Sequence, residues 1–423
     1  MVKRANSLPG PDDIYREVLP NGITILSRSN FNSPSVVVSG YFEAGALFDP
    51  DEKLGLAEYT AAALMRSTMN RTFDEIYQAL ESAGASLGFS TGVHKSGFNG
   101  RSLAEDLPLL LEILSEALMM PIFPKGEMEK LRAQLLTGLA IRAEDTSDMA
   151  SMVFNQILFK DHPYSRPEDG YPETIQSIKR ADLVKFHREH YGPRGLVMAI
   201  VGAVEPAEAG KHVRRVLGGW QVSGQKQAPE LPPLKSLKKT VSKHHRIRGK
   251  SQSDLIIGTN GPMRRDPEFM SASIGNNILG QFGMMGRIGD VVREKSGLAY
   301  YAYSSLSAGL GPGSWEVSAG INPQNVKKAS ALITDELKRF VQEGVTEGEL
   351  ADTKANFIGR LPLSLESNGG VASALLNIER HNLGLDYYRR YSDLVNEVTA
   401  EDVLTTARKY IDPEKLAIAM AGP

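Results

Sequence analysis

Two residues stand out as able to do chemistry together, Arg293 and Tyr300, separated by six others. A guanidinium offers a fixed fork of donors and a phenol adds one more, so the two at one point could grasp a peptide carbonyl or carboxylate. The same residues also read as a surface arginine at a helix end and a strand tyrosine buried in packing. The stretch by itself leaves both readings open. The elements that must hold the pair are legible locally. Ile288, Val291 and Val292 recur at helical intervals, Gly297 stands where a glycine ends a helix, and Leu298 to Ser305 is aromatic-rich and of strand length. Arg293 is therefore expected in the last turn of a helix, and Tyr300 near the start of the following strand.

Other candidates carry less. His187 and His190 lie three apart with Glu189 between them, a possible metal pair, but the segment is polar and reads as a solvated helix tail. His244 and His245 sit in a basic stretch and read as a solvated turn or strand start. His94, His162, His212 and His381 are scattered without ligand spacing. The run Gly280 to Gly286 lacks both the Gly-Lys-Ser/Thr ending and the dinucleotide glycine spacing, so it reads as close packing or a hinge before Arg287. Ala308 to Ser314 reads as a hairpin tip.

Composition narrows the classes. A chain of 423 residues is longer than one hydrophobic core usually serves, and 41% hydrophobic with 23% charged residues is ordinary for a globular protein. A net charge of −2, from 48 basic and 50 acidic residues, gives no electrostatic reason to bind nucleic acid or an anionic membrane. The absence of cysteine excludes disulfides, thiolate metal sites and a cysteine nucleophile. The N-terminus has basic residues but no apolar run behind them, so neither a signal peptide nor a transmembrane span is expected, and a cytoplasmic location is the default.

Along the chain, strands are expected over Ile14–Ser27 with a turn at Asn21-Gly22, then at Ser35–Phe42, Ala85–Thr91, Lys95–Arg101 and Leu196–Val201. Helices are expected at Gly55–Met69, Thr72–Ser82, Leu107–Met119, Lys125–Ala143 and Asp182–Tyr191. Residues 221–243 hold three prolines and five lysines without an apolar period and read as a linker. Beyond it the first half returns. Gly126-Glu127-Met128 is echoed by Gly348-Glu349-Leu350, Asp182-Leu183-Val184 by Asp402-Val403-Leu404, and Leu196–Gly202 by Leu416–Gly422, at an offset of about 220 residues. The expected fold is α+β: two homologous domains from an internal duplication, each a mostly antiparallel sheet with helices on one face. The boundaries expected are 1–220, a linker 221–243, and 244–423.

A duplicated chain of this length, with Arg-x6-Tyr in its second copy, resembles the pitrilysin/insulinase family of zinc metallopeptidases, which includes the mitochondrial processing peptidase and the cytochrome bc1 core subunits. The most specific piece is Val292-Arg293-Glu294-Lys295-Ser296-Gly297-Leu298-Ala299-Tyr300, near the family's Arg-Glu-Lys-x-Gly-Leu-Ala-Tyr. Phe186 to Pro193 is similar to its Phe-x-x-x-x-Tyr-x-Pro segment. Catalytic members carry His-x-x-Glu-His on the first long helix, with two zinc ligands and a base. Here the histidine positions hold Glu58 and Ala62, and the base position holds Ala61. A further ligand, a glutamate about 75 residues on, would fall near Thr137 and Gly138, where no carboxylate stands.

The resemblance therefore implies a chain with no zinc site of its own. It implies the non-zinc subunit of a heterodimer, with zinc in a homologous partner and with peptide as substrate. In that role Arg293 and Tyr300 would reach the partner's active site, hold the substrate backbone and stabilise a developing oxyanion. Peptides in the family also pair as an added strand on a sheet edge. The alternative is a peptide-binding or structural scaffold with no part in hydrolysis.

Overall fold

The computed structural model describes residues 8–423. Eleven strands lie among them: β1 (Tyr15–Val18), β2 (Thr24–Ser29), β3 (Ser35–Phe42), β4 (Ser86–Thr91), β5 (Ser96–Leu103), β6 (Val197–Gly202), β7 (Val241–Arg246), β8 (Ser253–Asn260), β9 (Ala299–Leu306), β10 (Ser314–Ile321) and β11 (Ala417–Gly422). They form two sheets, ordered β1-β2-β6-β3-β5-β4 and β7-β11-β8-β10-β9. Setting β2 on β7, β6 on β11, β3 on β8, β5 on β10 and β4 on β9 makes the two orders identical, apart from the extra β1. Even the exceptions repeat: β2 runs parallel to β6 and β7 parallel to β11, while the other pairs are antiparallel. The duplication visible in short sequence echoes is a duplication of topology.

By compactness the chain divides into two units interleaved along the sequence. The first comprises residues 8–139, 167–230 and 361–390, and the second 140–166, 231–360 and 391–423. In the first, Ile25 of β2, Val36 and Val38 of β3 and Ile200 of β6 pack with the apolar side of Leu107–Met119 and with Val213 and Leu217 of the helix Pro206–Leu217. In the second, Leu255 and Ile257 of β8 and Val317 of β10 pack with Ile274 and Leu279 of the helix Phe269–Gly280, Ile333 and Phe340 of Val326–Glu343, and Val403 of Ala400–Tyr410.

The opposite face of each sheet is apolar too. Strand residues alternate sides, so Ile256 of β8 and Ala417, Ala419 and Ala421 of β11 face away from that core. They are covered by the helix Thr146–Leu158 through Met149, Ala150, Val153, Phe154 and Ile157. Its N-terminus is fixed where Thr146 Oγ1 and Tyr301 Oη both donate to the buried carboxylate of Asp254, which also accepts from Gln252 Nε2 at 3.1 Å. The corresponding helix Asn368–His381 packs on β6 and β3 of the first unit, where Asn368 Nδ2 donates to the Ser35 carbonyl at 3.1 Å and Arg380 lies 4.4 Å over the Tyr41 ring. Helices thus lie on both faces of each sheet, and each second cover comes from sequence on the far side of the linker.

Several local expectations shift at their ends. The helix expected over Gly55–Met69 spans Leu56–Ala63 only; the chain then turns, with Ser67 bridging Thr72 and Thr68 bridging Pro121. Glu116 accepts from Thr68 Oγ1 at 2.9 Å and from Arg71, which draws those residues out of the helix. Residues 221–240 carry no helix or strand, and β7 begins at Val241. Gly280 ends its helix against Ser304 of β9, and a Cβ there would collide with the Ser304 backbone, in keeping with close packing.

The second cover has a measurable consequence. A fragment of residues 231–423 leaves bare the β8 and β11 face that Thr146–Leu158 buries, at about 1.5–3 kcal/mol for each large side chain uncovered. It is expected to lack a cooperative thermal transition, and a fragment with 140–166 fused through a flexible linker to recover one. Equal melting of the two, read by circular dichroism, would show the cover to be dispensable.

Candidate functional site

The residues at the degenerate metal positions run along the helix Leu56–Ala63, whose N-terminus is tied down by Asp49. Its buried carboxylate accepts from the Gly55 and Ala57 amides, both at 2.9 Å. Gly55 leads in at φ 90°, a left-handed turn that glycine adopts without strain. Ala61 is completely buried and Ala62 half-buried, so both are methyl groups in packing. Glu58 is half-buried beside the end of β4. Burial and the neighbouring Asp169 push its carboxyl up, while the Thr91 amide pulls it back. Glu168 behaves alike: burial, then Glu58 and Asp169, raise it against a hydrogen bond from the Val93 amide.

Sequence reasoning missed Glu168 and Asp169. They belong to the loop between the helices Thr146–Leu158 and Pro172–Ser177, and nothing in their spacing from Glu58 pointed to it. Three carboxylates therefore gather where a zinc peptidase would need imidazoles. Among the described residues no group of three or more histidine, aspartate or glutamate side chains is placed to hold a metal ion. Thr137 and Gly138, at the expected place of the distal ligand, are exposed on the helix Lys125–Glu144, with Thr137 Oγ1 bonded to the Ala133 carbonyl at 2.9 Å.

His187 and His190 are not a solvated tail, as their polar surroundings led us to expect. His187 Nε2 lies 2.9 Å from the Leu118 carbonyl and its ring stacks on Tyr191 at 4.6 Å. His190 is 5% exposed, between Phe48 at 4.1 Å and Phe186 at 4.5 Å. The helix-face positions that look polar in sequence are turned into an aromatic stack.

Arg293 and Tyr300 are held as the local pattern required, with one addition. The helix Phe282–Gly289 runs into a wider turn, Asp290–Glu294, in which the Lys295 amide reaches back to Asp290. Gly297, at φ 60°, then reverses the chain; its amide bonds the Arg293 carbonyl and the Leu298 amide bonds that of Val292. The turn is anchored by Arg287, which grips Glu349 through Nε and Nη2 at 2.7 and 2.6 Å. Burial raises that carboxyl, but Arg287 and Thr346 prevail and hold it near 2. Arg293 itself is half-exposed, 3.7 Å from its neighbour Glu294.

Tyr300 lies on β9, the terminal strand of its sheet, and is 66% exposed. In the pairing with β10, Tyr301 faces Gly320 and Ala299 faces Ile321, so Tyr300 is the extra residue of a bulge. A bulge breaks the ladder and re-aims the side chain it carries. Tyr300 is thus a large aromatic side chain that the core leaves unused, on an open edge next to the turn that bears Arg293. β4, beside Glu58, is the terminal strand of the other sheet. Both edges offer unpaired backbone groups to an extended peptide.

The profile described as "Insulinase (Peptidase family M16)" matches residues 24–168, and that described as "Peptidase M16 inactive domain" matches 177–357. The chain belongs to the insulinase family, M16. Among its M16 relatives are uncharacterized zinc proteases of Streptomyces coelicolor, 27% identical over 98% of this chain and 90% of that one, and of Bacillus subtilis, 23% identical over 97% and 98%. A crystal structure of a peptidase M16 inactive domain from Pseudomonas fluorescens superimposes with a TM-score of 0.90 at 25% identity, covering 97% of this chain and 98% of the other. A Helicobacter pylori protease shares the fold, with a TM-score of 0.91 at 18% identity over 98% and 100%. Among the described residues no helix of this M16 chain is long and apolar enough to cross a membrane.

The carboxylate cluster sets a pH signature. A carboxyl whose folded pKa exceeds its unfolded value binds more protons when folded, so it lowers stability as pH rises above about 4.5. Glu58→Gln is expected to melt higher than wild type at pH 7 and to match it near pH 4. A constant difference at both pH values would refute the assignment. The variant Glu58→His, Ala61→Glu, Ala62→His is expected to gain no zinc-dependent hydrolysis. It lacks the distal carboxylate and buries a new charge at Ala61, which lowers its melting temperature. Robust cleavage that a chelator abolishes would overturn that account.

Proposed function

We propose that this chain is the non-zinc subunit of a two-chain M16 peptidase, binding peptide and presenting Arg293 and Tyr300 to a partner's active site. The observation that carries the reading is the bulge at Tyr300. A structural tyrosine would be packed, whereas this one is displaced from the ladder and exposed beside a half-exposed arginine. Their donors suit a peptide carbonyl and the negative charge that grows on it as the bond is attacked. The zinc of a homologous partner would supply the activated water and Lewis acidity, which Glu58, Ala61 and Ala62 cannot. Edge strands supply sequence-tolerant backbone pairing, so specificity falls to the side chains beside them.

The experiment is peptide hydrolysis by this chain, by a zinc-bearing M16 chain from the same source, and by their mixture. Activity is expected in the mixture alone. Tyr300→Phe is expected to lower kcat by about 10- to 100-fold, and Arg293→Ala by at least as much, with smaller changes in KM. A mixture that is active but indifferent to both substitutions would leave a peptide-binding scaffold. A mixture that is inactive would remove the peptidase role altogether.

A further inference from the structure

A cavity of about 440 Å³ lies in the first unit, at the base of the helix that carries Glu58. Its floor is the aromatic stack of Phe48, His190 and Phe186, with Leu47 and Leu56 beside it. Burial, then Lys226, depress the His190 imidazole to about 4, against a smaller pull from Glu189, so the floor is uncharged at neutral pH. The Nδ1 atom of His190 is buried and has no hydrogen-bond partner. The size is that of a small-molecule site rather than a packing defect.

The walls carry charge in a particular arrangement. Lys53 pairs with Asp182 at 2.7 Å, and Lys226 with Glu189 at 2.7 Å, which fixes these four side chains around the opening. Two further lining residues, Glu52 and Lys185, are exposed and form no ion pair among the described residues. Lys185 also acts through space on Glu189, so Glu52 and Lys185 stand above the apolar floor as one negative and one positive side chain without a direct ion-pair contact. That pattern complements a molecule with an ammonium, a carboxylate and apolar side groups. A single amino acid underfills the volume, and a dipeptide fills more of it.

We propose that this cavity binds a short zwitterionic peptide with apolar side chains, its ammonium toward Glu52 and its carboxylate toward Lys185. Such molecules are end products of peptide hydrolysis, but the site is independent of the reading of Arg293 and Tyr300 and stands or falls separately.

The test is calorimetric titration of the full chain with L-leucyl-L-phenylalanine and with its N-acetylated and C-amidated forms. Saturable binding of the free dipeptide is expected, with each cap weakening it about tenfold. Lys185→Glu is expected to weaken the free dipeptide by a similar factor and to leave the amidated form unchanged, since the carboxylate it would meet is already gone. Tyr300→Phe, at the proposed substrate edge, is expected to leave dipeptide binding unchanged. The proposal is overturned if the free dipeptide does not bind, if the capped forms bind equally well, or if binding responds to Tyr300→Phe and not to Lys185→Glu. Unchanged circular dichroism of Lys185→Glu, an exposed position, separates loss of binding from loss of fold.

Discussion

Each sheet in this molecule is apolar on both faces, and that constraint organises everything else. Ile256 points one way and Leu255 and Ile257 the other, so β8 cannot be soaked by water on either side. A sheet buried twice needs two layers of cover. The helices that follow each strand set in sequence supply one layer. The second is a single helix, Thr146–Leu158 or Asn368–His381, taken from the other half of the chain. The candidate site residues inherit their rigidity from this arrangement. The turn bearing Arg293 is clamped by Arg287 and Glu349, and Tyr301, next to the exposed Tyr300, is fixed by Asp254 at the foot of the covering helix.

What the sequence disclosed and what it hid divide along physical lines. Apolar periodicity placed Leu107–Met119 to the residue, because that helix is decided by its own pattern. Gly297 announced its left-handed turn in the same local way. The boundary at Ala63 was missed because Ala, Leu and Met are willing helix formers, and only Glu116, distant in sequence, draws Thr68 and Arg71 elsewhere. The exchange of covering helices was likewise hidden. Thr146–Leu158 shows an apolar face, but a face does not name its partner.

The same distinction holds at the candidate site. That Ala61 and Ala62 cannot bind metal follows from their chemistry and required no coordinates. The company Glu58 keeps, Glu168 and Asp169, is a matter of tertiary folding and was invisible. His187 and His190 were misjudged because charged neighbours along a helix conceal which side faces inward. The bulge at Tyr300 was beyond reach as well, since it exists only in the mismatch between two strands.

The exchange of covering helices also bears on origins. If the two halves descend from one ancestral unit, that unit had a sheet face its own helix did not cover. As a monomer it would have been left with exposed apolar surface, so its stable state was a pair of copies trading the helix reciprocally. Joining the copies through a segment like residues 221–240 turned a concentration-dependent association into a property of one chain. After fusion the two copies were free to drift apart in sequence while each kept its cover.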